Sequence, residues 1–179
     1  MDYSFLSTYY NYFISGTLVT LIISFITIIL GTILGVIFAL MKLSSVRPLR
    51  WLANIYIEVI RGTPMLVQIL ISIGLLHKVF NLPTIPIGVL DIDFGRLLPG
   101  IIALSLNSGA YVAEIVRAGI NAVEVGQSEA AGSLGLRPAQ TMRYVILPQA
   151  MRNILPPLGN EFIVLIKDSS LLSTIGIYE

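Results

Sequence analysis

The chain has 179 residues, 55% of them hydrophobic and only 12% charged, with a mean hydropathy of +0.86 and a net charge of +1. A soluble domain carries about 25% charged residues, so a soluble globular class is excluded, and a charge this close to neutral gives no footprint for nucleic acid. Cysteine is absent, which removes disulfides, thiol chemistry and thiolate metal sites.

From Tyr3 to Met41 no Lys, Arg, Asp or Glu occurs, a run well beyond the roughly 20 residues that carry a helix across a bilayer core. The chain opens with Asp2 where a secretory signal would be basic, and the run exceeds an h-region, so this is not a signal peptide. The first span is expected at about Phe13 to Met41. Within it Gly31 and Gly35 form a G-x-x-x-G, which permits close helix packing and is common in membrane spans. A basic loop follows, "KLSSVRPLR", with Lys42, Arg47 and Arg50.

The second span is expected at about Ile55 to Leu76. Near its start "RGTP" sets Thr63 between Gly62 and Pro64, where the proline frees a carbonyl and loosens the helix. Arg61 lies about a turn from the cytoplasmic edge, where its side chain can snorkel, and a structural role is favoured. His77, the only histidine, reads as an interfacial polar residue. The next loop, "NLPTIPIGVLDIDFGR", is rich in Pro and Gly, with Asp91 and Asp93 offsetting Lys78 and Arg96. A third span is expected at about Leu97 to Val116. In "LNSGAY" Asn107 and Ser108 are placed to hydrogen-bond a solute or to glue spans together beside Gly109, and packing is the favoured role.

The third loop, about residues 121–149, holds the stretch "EAAGSLGLRPAQTMRYVILPQ". Helix-forming Ala130 and Ala131 follow Ser128, a candidate cap, with acidic Glu129 near the helix start. Gly135 suits a helix stop and Pro138 the first turn of a second helix. There Met142, Val145 and Ile146 make one apolar face, and Pro148 ends or bends the segment. Two short helices at an angle are expected. A connector resting on lipid headgroups is one reading; with only Leu134 and Leu136 as large apolar groups, the first helix fits a protein partner better.

A fourth, shorter span is expected at about Ile154 to Ile166. "PPLGNEF" places Asn160 and Glu161 just after three helix-disrupting residues. Irregular backbone at membrane depth occurs where it is shielded or lines a cavity, and transporters put binding groups at such breaks. An acid at the centre of a span costs about 2.5–3.5 kcal/mol, so Glu161 is expected to hold a solute ammonium or basic group, to pair with Arg152 or Lys167, or to sit nearer the interface. Lys167 and Asp168 could pair with each other. Most of the eleven basic residues flank the first and third loops, which the positive-inside rule places in the cytoplasm. The N-terminus is then outside.

The third-loop stretch resembles the EAA loop of the membrane-spanning subunit of ATP-binding-cassette importers. Glu129, Ala130, Ala131, Gly135, Leu147 and Pro148 stand at that pattern's spacing, with Val145 where Ile is usual. "EVIRGTPMLVQ", "LSLNSGAYVAEIVRAGI" and "LPQAMRNILPPLGNEFIVLIKDSSLLS" resemble the branch that imports polar amino acids, so the likeness covers about Glu58 to Ser173. It implies an all-α, polytopic transmembrane permease domain spanning 1–179, in a bacterial cytoplasmic membrane. The family continues past "SLLSTIGIYE" into another membrane helix, so four spans of an expected five are present. It implies partners too: a cytoplasmic ATPase dimer docking on the EAA loop, a second permease subunit, homologous or identical, and an extracytoplasmic amino-acid-binding protein. No G-x-x-x-x-G-K-[ST] loop occurs here, so the chain itself binds no cofactor, and ATP with its Mg would sit in the partner. The reading is therefore a non-enzymatic permease working by alternating access, with Thr63, Asn107, Asn160 and Glu161 as candidate solute-binding residues. Rival readings are an ion-coupled secondary transporter or channel, and an anchoring protein whose polar span residues only glue helices together.

Overall fold

A computed structural model describes residues 4–76, 83–87 and 90–177; His77, Lys78 and Glu179 lie outside them. Helix α1, Ser4–Leu43, is apolar on every side and contains a membrane-crossing segment, Tyr9–Leu43. Gly16, Val19, Ile23, Ser24, Thr27, Gly31, Gly35 and Ala39 are buried, the last four spaced by four, and form one stripe, while the rest of its surface exposes Leu, Ile and Phe. A helix apolar all round and buried along one stripe only is what lipid contact on the remainder demands.

The expected second span is not one straight helix. Helix α2, Arg47–Arg61, and helix α3, Met65–Leu76, meet at 106° across Gly62, Thr63 and Pro64. Pro64 has no N–H for the ladder and its ring disfavours helical geometry in the residue before it, so the chain turns there. Helix α2 is strongly amphipathic, with Ala53 and Ile57 buried. The Pro- and Gly-rich loop contains an antiparallel ribbon of β1, Thr84–Ile87, and β2, Leu90–Asp93, with Thr84 opposite Asp93. Asp93 then caps helix α4, Phe94–Asn121, its Oδ1 accepting from the Gly95 N–H at 2.8 Å.

Helix α4 is the centre of the molecule, packing on α1, α2, α3 and the later helix α7. Small residues set its closest approach to α1. A Cβ added at Gly31 would lie 2.8 Å from Ser108 Oγ, and one at Gly35 would lie 2.6 Å from Val112 Cβ. Removing side-chain bulk lets the two backbones meet. Ser72 of α3 donates to the Pro99 carbonyl at 2.7 Å, which ties α3 to α4, and Pro99 is carried inside α4.

After α4 come helix α5, Val125–Ser133, a short helix α6, Pro138–Thr141, a π-helical stretch Met142–Ile146, and helix α7, Leu147–Ser169. Three local expectations are corrected here. Ser128 is not a cap: the helix begins earlier, at Val125, and Ser128 Oγ donates back to the Val125 carbonyl at 2.7 Å. Pro148 does not end the segment: the helical run passes from the π-helical stretch straight through it into α7. Pro156, Pro157 and Gly159 do not break α7, which is continuous; Ala150, Ile154 and Leu165 are buried, and tertiary packing of one face outweighs two lost donors. Gly135 does stop α5: its φ of 83° is left-handed, and Leu136 N–H closes the end on the Ala131 carbonyl at 3.1 Å. Pro138 does open the next helix. By length and apolarity α1 and α4 can cross a membrane, with the bent α2–α3 pair as a third if taken as one span. Helix α7 carries Arg152, Glu161, Lys167 and Asp168 and is held by packing on α4 and α1. Among the described residues the architecture is thus helical apart from one two-stranded ribbon.

Candidate functional site

The break between α2 and α3 opens a cavity of about 570 Å³, within the usual 300–1,000 Å³ range for small-molecule sites. Arg61 to Met65 form one wall, Asn107 and Tyr111 of α4 a second, and Asn160, Glu161, Val164 and Asp168 of α7 the third. The structure thus brings Thr63, Asn107, Asn160 and Glu161 together, though the sequence separates them by nearly a hundred positions.

Thr63 and Asn107 are held by hydrogen bonds around the break. Thr63 Oγ1 donates to the Val59 carbonyl at 2.7 Å. The carbonyls loosened by the break are taken up by Gln68, whose Nε2 donates to Ile60 at 2.7 Å and to Thr63 at 2.9 Å. Gln68 Oε1 in turn accepts from Asn107 Nδ2 at 3.2 Å, so Asn107 is oriented by the same residue that stabilises the turn. Glu161 is buried, 7% exposed, while its neighbour Asn160 is exposed. The fully buried Ser108 hydroxyl interacts with the Glu161 carboxylate, in a geometry short of a well-formed hydrogen bond. Ser108 therefore both packs against Gly31 and faces the carboxylate.

No ion pair links Glu161 to Arg152 or Lys167; the ion pairs among the described residues are Lys42–Glu114, Arg96–Asp93 and Arg117–Glu114. Lys167 and Asp168 interact electrostatically without closing a pair. Arg61 lines the cavity, its guanidinium 5.0 Å from the centre of the Tyr111 ring. The site thus brings one guanidinium, two carboxylates, Glu161 and Asp168, and the side-chain amides of Asn107 and Asn160 to one cavity. That arrangement can hold a small zwitterion by charge-assisted hydrogen bonds at both ends. Arg61, Tyr111 and Asp168, which line the cavity, and Gln68, which braces the break beside it, were not selected as solute-binding residues by sequence reasoning. Arg61 stands in "RGTP" itself but reads there as a structural residue, and for Gln68 the available signal was its place one turn past that break.

The second candidate surface is the elbow of α5 and α6. Glu129, Ala130, Gly135, Leu147 and Pro148 are exposed and Ala131 is buried. Leu134 projects at its tip, 82% exposed, and nothing approaches Gly132 or Gly135. An apolar groove of about 300 Å³ runs between α5 and α6, with Leu136, Met142 and Ile146 in its walls. Six expected coupling residues therefore divide between α5 with its exit and the root of α7. Where α1 and α4 end, Glu114 accepts from Lys42 and, at 2.9 and 2.8 Å, from the Arg117 guanidinium, tying the two helices together.

Comparison with known proteins places this geometry. The family model described as binding-protein-dependent transport system inner membrane component matches residues 31–179. The putative glutamine transport system permease protein GlnP of Rickettsia prowazekii (strain Madrid E) is 45% identical over 165 residues, covering 92% of this chain and 71% of that protein. The arginine transport system permease protein ArtQ of Bacillus subtilis (strain 168) is 40% identical over 177 residues, covering 99% of this chain and 76% of that one. A crystal structure of an amino acid ABC transporter with histidines has a TM-score of 0.87 and 48% identity, covering 100% of this chain and 78% of that chain.

Proposed function

Because the chain belongs to the family of binding-protein-dependent transport system inner membrane components, we propose that it is the membrane-spanning subunit of an ATP-driven importer of polar amino acids. It resides in a bacterial cytoplasmic membrane with its N-terminus outside. A cytoplasmic ATPase dimer, which holds ATP and Mg, grips the exposed elbow; a second permease subunit completes the pathway; an extracytoplasmic binding protein delivers solute. The relatives that resemble it carry glutamine and arginine in their names, and the cavity's paired charges fit the two ends of an amino acid.

One observation carries the reading. Elbow and cavity lie on a single helical run, Pro138 to Ser169, with Leu147 and Pro148 near one end and Glu161 and Asp168 towards the other. Closure of the ATPase pair moves the elbow, and α7 delivers that motion to the cavity wall, opening it to one side of the membrane and then the other. The chain alone hydrolyses no ATP.

The test is reconstitution of the assembled complex in vesicles, with ATP-dependent uptake of arginine, glutamine and glutamate measured beside solute-stimulated ATP hydrolysis. Wild type takes up at least one of them. Gly135→Arg forces a bulky residue into a left-handed backbone position, at a cost of about 1–2 kcal/mol, on the exposed docking face. It is expected to insert normally and lose solute-stimulated hydrolysis. Normal coupling in that variant, or no uptake of any polar amino acid by wild type, defeats the proposal.

A further inference from the structure

The run from Pro138 to Ser169 changes hydrogen-bond register once, over the π-helical stretch Met142–Ile146. There the Leu147 N–H bonds the Met142 carbonyl five residues back, and Pro148 has no N–H to give the Tyr144 carbonyl. Such π turns are rare and concentrate at functional sites. In a rod that must carry force this turn is also the weakest link: a push on the elbow dissipates by bending there unless something braces it.

A brace is present. The side-chain amide of Gln149 donates to the Val145 carbonyl inside the π turn, at 2.9 Å, and to Gln127 Oε1 on α5, at 3.1 Å. One helical turn further along, Asn153 Nδ2 donates to the Gly119 carbonyl of α4 at 3.4 Å. Gly119 lies so close to α7 that an added Cβ would sit 2.4 Å from Ile154 Cγ1. The root of α7 is therefore tied to α5 on one side and pivots on α4 at the other.

We infer that Gln149 is a positioning residue for transport: with Gln127 it locks the π turn to α5, so that elbow displacement reaches Glu161 and Asp168 instead of being absorbed at the turn. Neither glutamine belongs to the EAA pattern. The inference rests on the elbow being the docking piece proposed above.

The experiment uses the assembled complex in vesicles, with arginine and glutamine as solutes, and compares wild type with Gln149→Ala, Gln127→Ala and the double variant. The quantity read is solute taken up per ATP hydrolysed. That ratio is expected to fall about two- to thirty-fold in Gln149→Ala and less in Gln127→Ala, which removes one of the two bonds. The double variant matches Gln149→Ala, since the substitutions break a shared contact. A merely structural defect would lower uptake and hydrolysis together and leave the ratio unmoved. If Gln149→Ala does not assemble, Gln127→Ala, with its exposed side chain, carries the test by itself. A coupled wild type whose variants keep the wild-type ratio overturns the brace alone; a wild type without ATP-dependent uptake overturns the proposed function beneath it.

Discussion

Glu161 is the single side chain at which helix packing and the proposed solute site meet. It is buried, has no cationic partner within ion-pair distance among the described residues, and lines a cavity that Arg61 also lines. A buried acid in that condition is costly unless a ligand supplies the missing charge. Glu161→Gln keeps the shape and removes the charge. Loss of a charge-assisted hydrogen bond to a solute ammonium is worth about 1.5–3 kcal/mol, or roughly ten- to a hundred-fold in affinity. Solute titration of the assembled complex measures it, and unchanged affinity removes Glu161 from the site. Polar residues at membrane depth were legible in the sequence because bilayers tolerate them so rarely; Thr63, Asn107, Asn160 and Glu161 stood out for that reason. Gln68 did not, since its value comes from a bend that brings it back onto Ile60 and Thr63. Ser128 was misread because a Ser one turn inside a helix has the same local sequence as one that caps it.

At the scale of elements, the interface of α1 with α4 is set by glycine. Gly35 packs where a Cβ would meet Val112 Cβ at 2.6 Å and the Ala113 amide nitrogen at 3.0 Å; backbone cannot yield as a side-chain tip can. Gly35→Leu is therefore expected to destabilise the protein by about 1–3 kcal/mol through overpacking. Gly74→Leu, on a surface where nothing lies within 4 Å, supplies the control and is expected to be neutral. Thermal unfolding of the two variants in detergent compares them, and equal melting temperatures would mean the crossing is looser than these distances require. The G-x-x-x-G was visible in the sequence, but its partner surface on α4 was not, because a motif states only that something can come close. Proline was the harder signal. Pro64 falls at the break between two helices, Pro148 follows the π-helical stretch within a continuous run and Pro156 with Pro157 are carried through a helix; the residue is identical and the outcome is decided by what packs on the adjoining turns.

The whole molecule has a direction that local signals do not reveal. Gly31 meets Ser108 and Gly35 meets Val112, so stepping four residues along α1 steps four along α4, and the two helices run parallel. Their C-terminal ends share one side, as the Lys42–Glu114 pair confirms. Lys42, Arg47, Arg50 and Arg117 gather at that end, and α5 follows directly from α4. The β1–β2 ribbon precedes α4 and belongs to the opposite side. Basic residues stay cytoplasmic, so the elbow is expected to face the cytoplasm and the ribbon the exterior. The chain has no cysteine, which makes a single introduced thiol an unambiguous reporter. Thr84→Cys on the ribbon is expected to react with a membrane-impermeant maleimide added to intact cells. Ser133→Cys on the elbow is expected to react only in inside-out vesicles, and to be protected there once the ATPase is bound. Labelling of Ser133→Cys from outside would invert the orientation and leave the exposed elbow without a motor to grip it. Reaction from the cytoplasmic face without protection would keep the orientation and shift the docking contact away from α5.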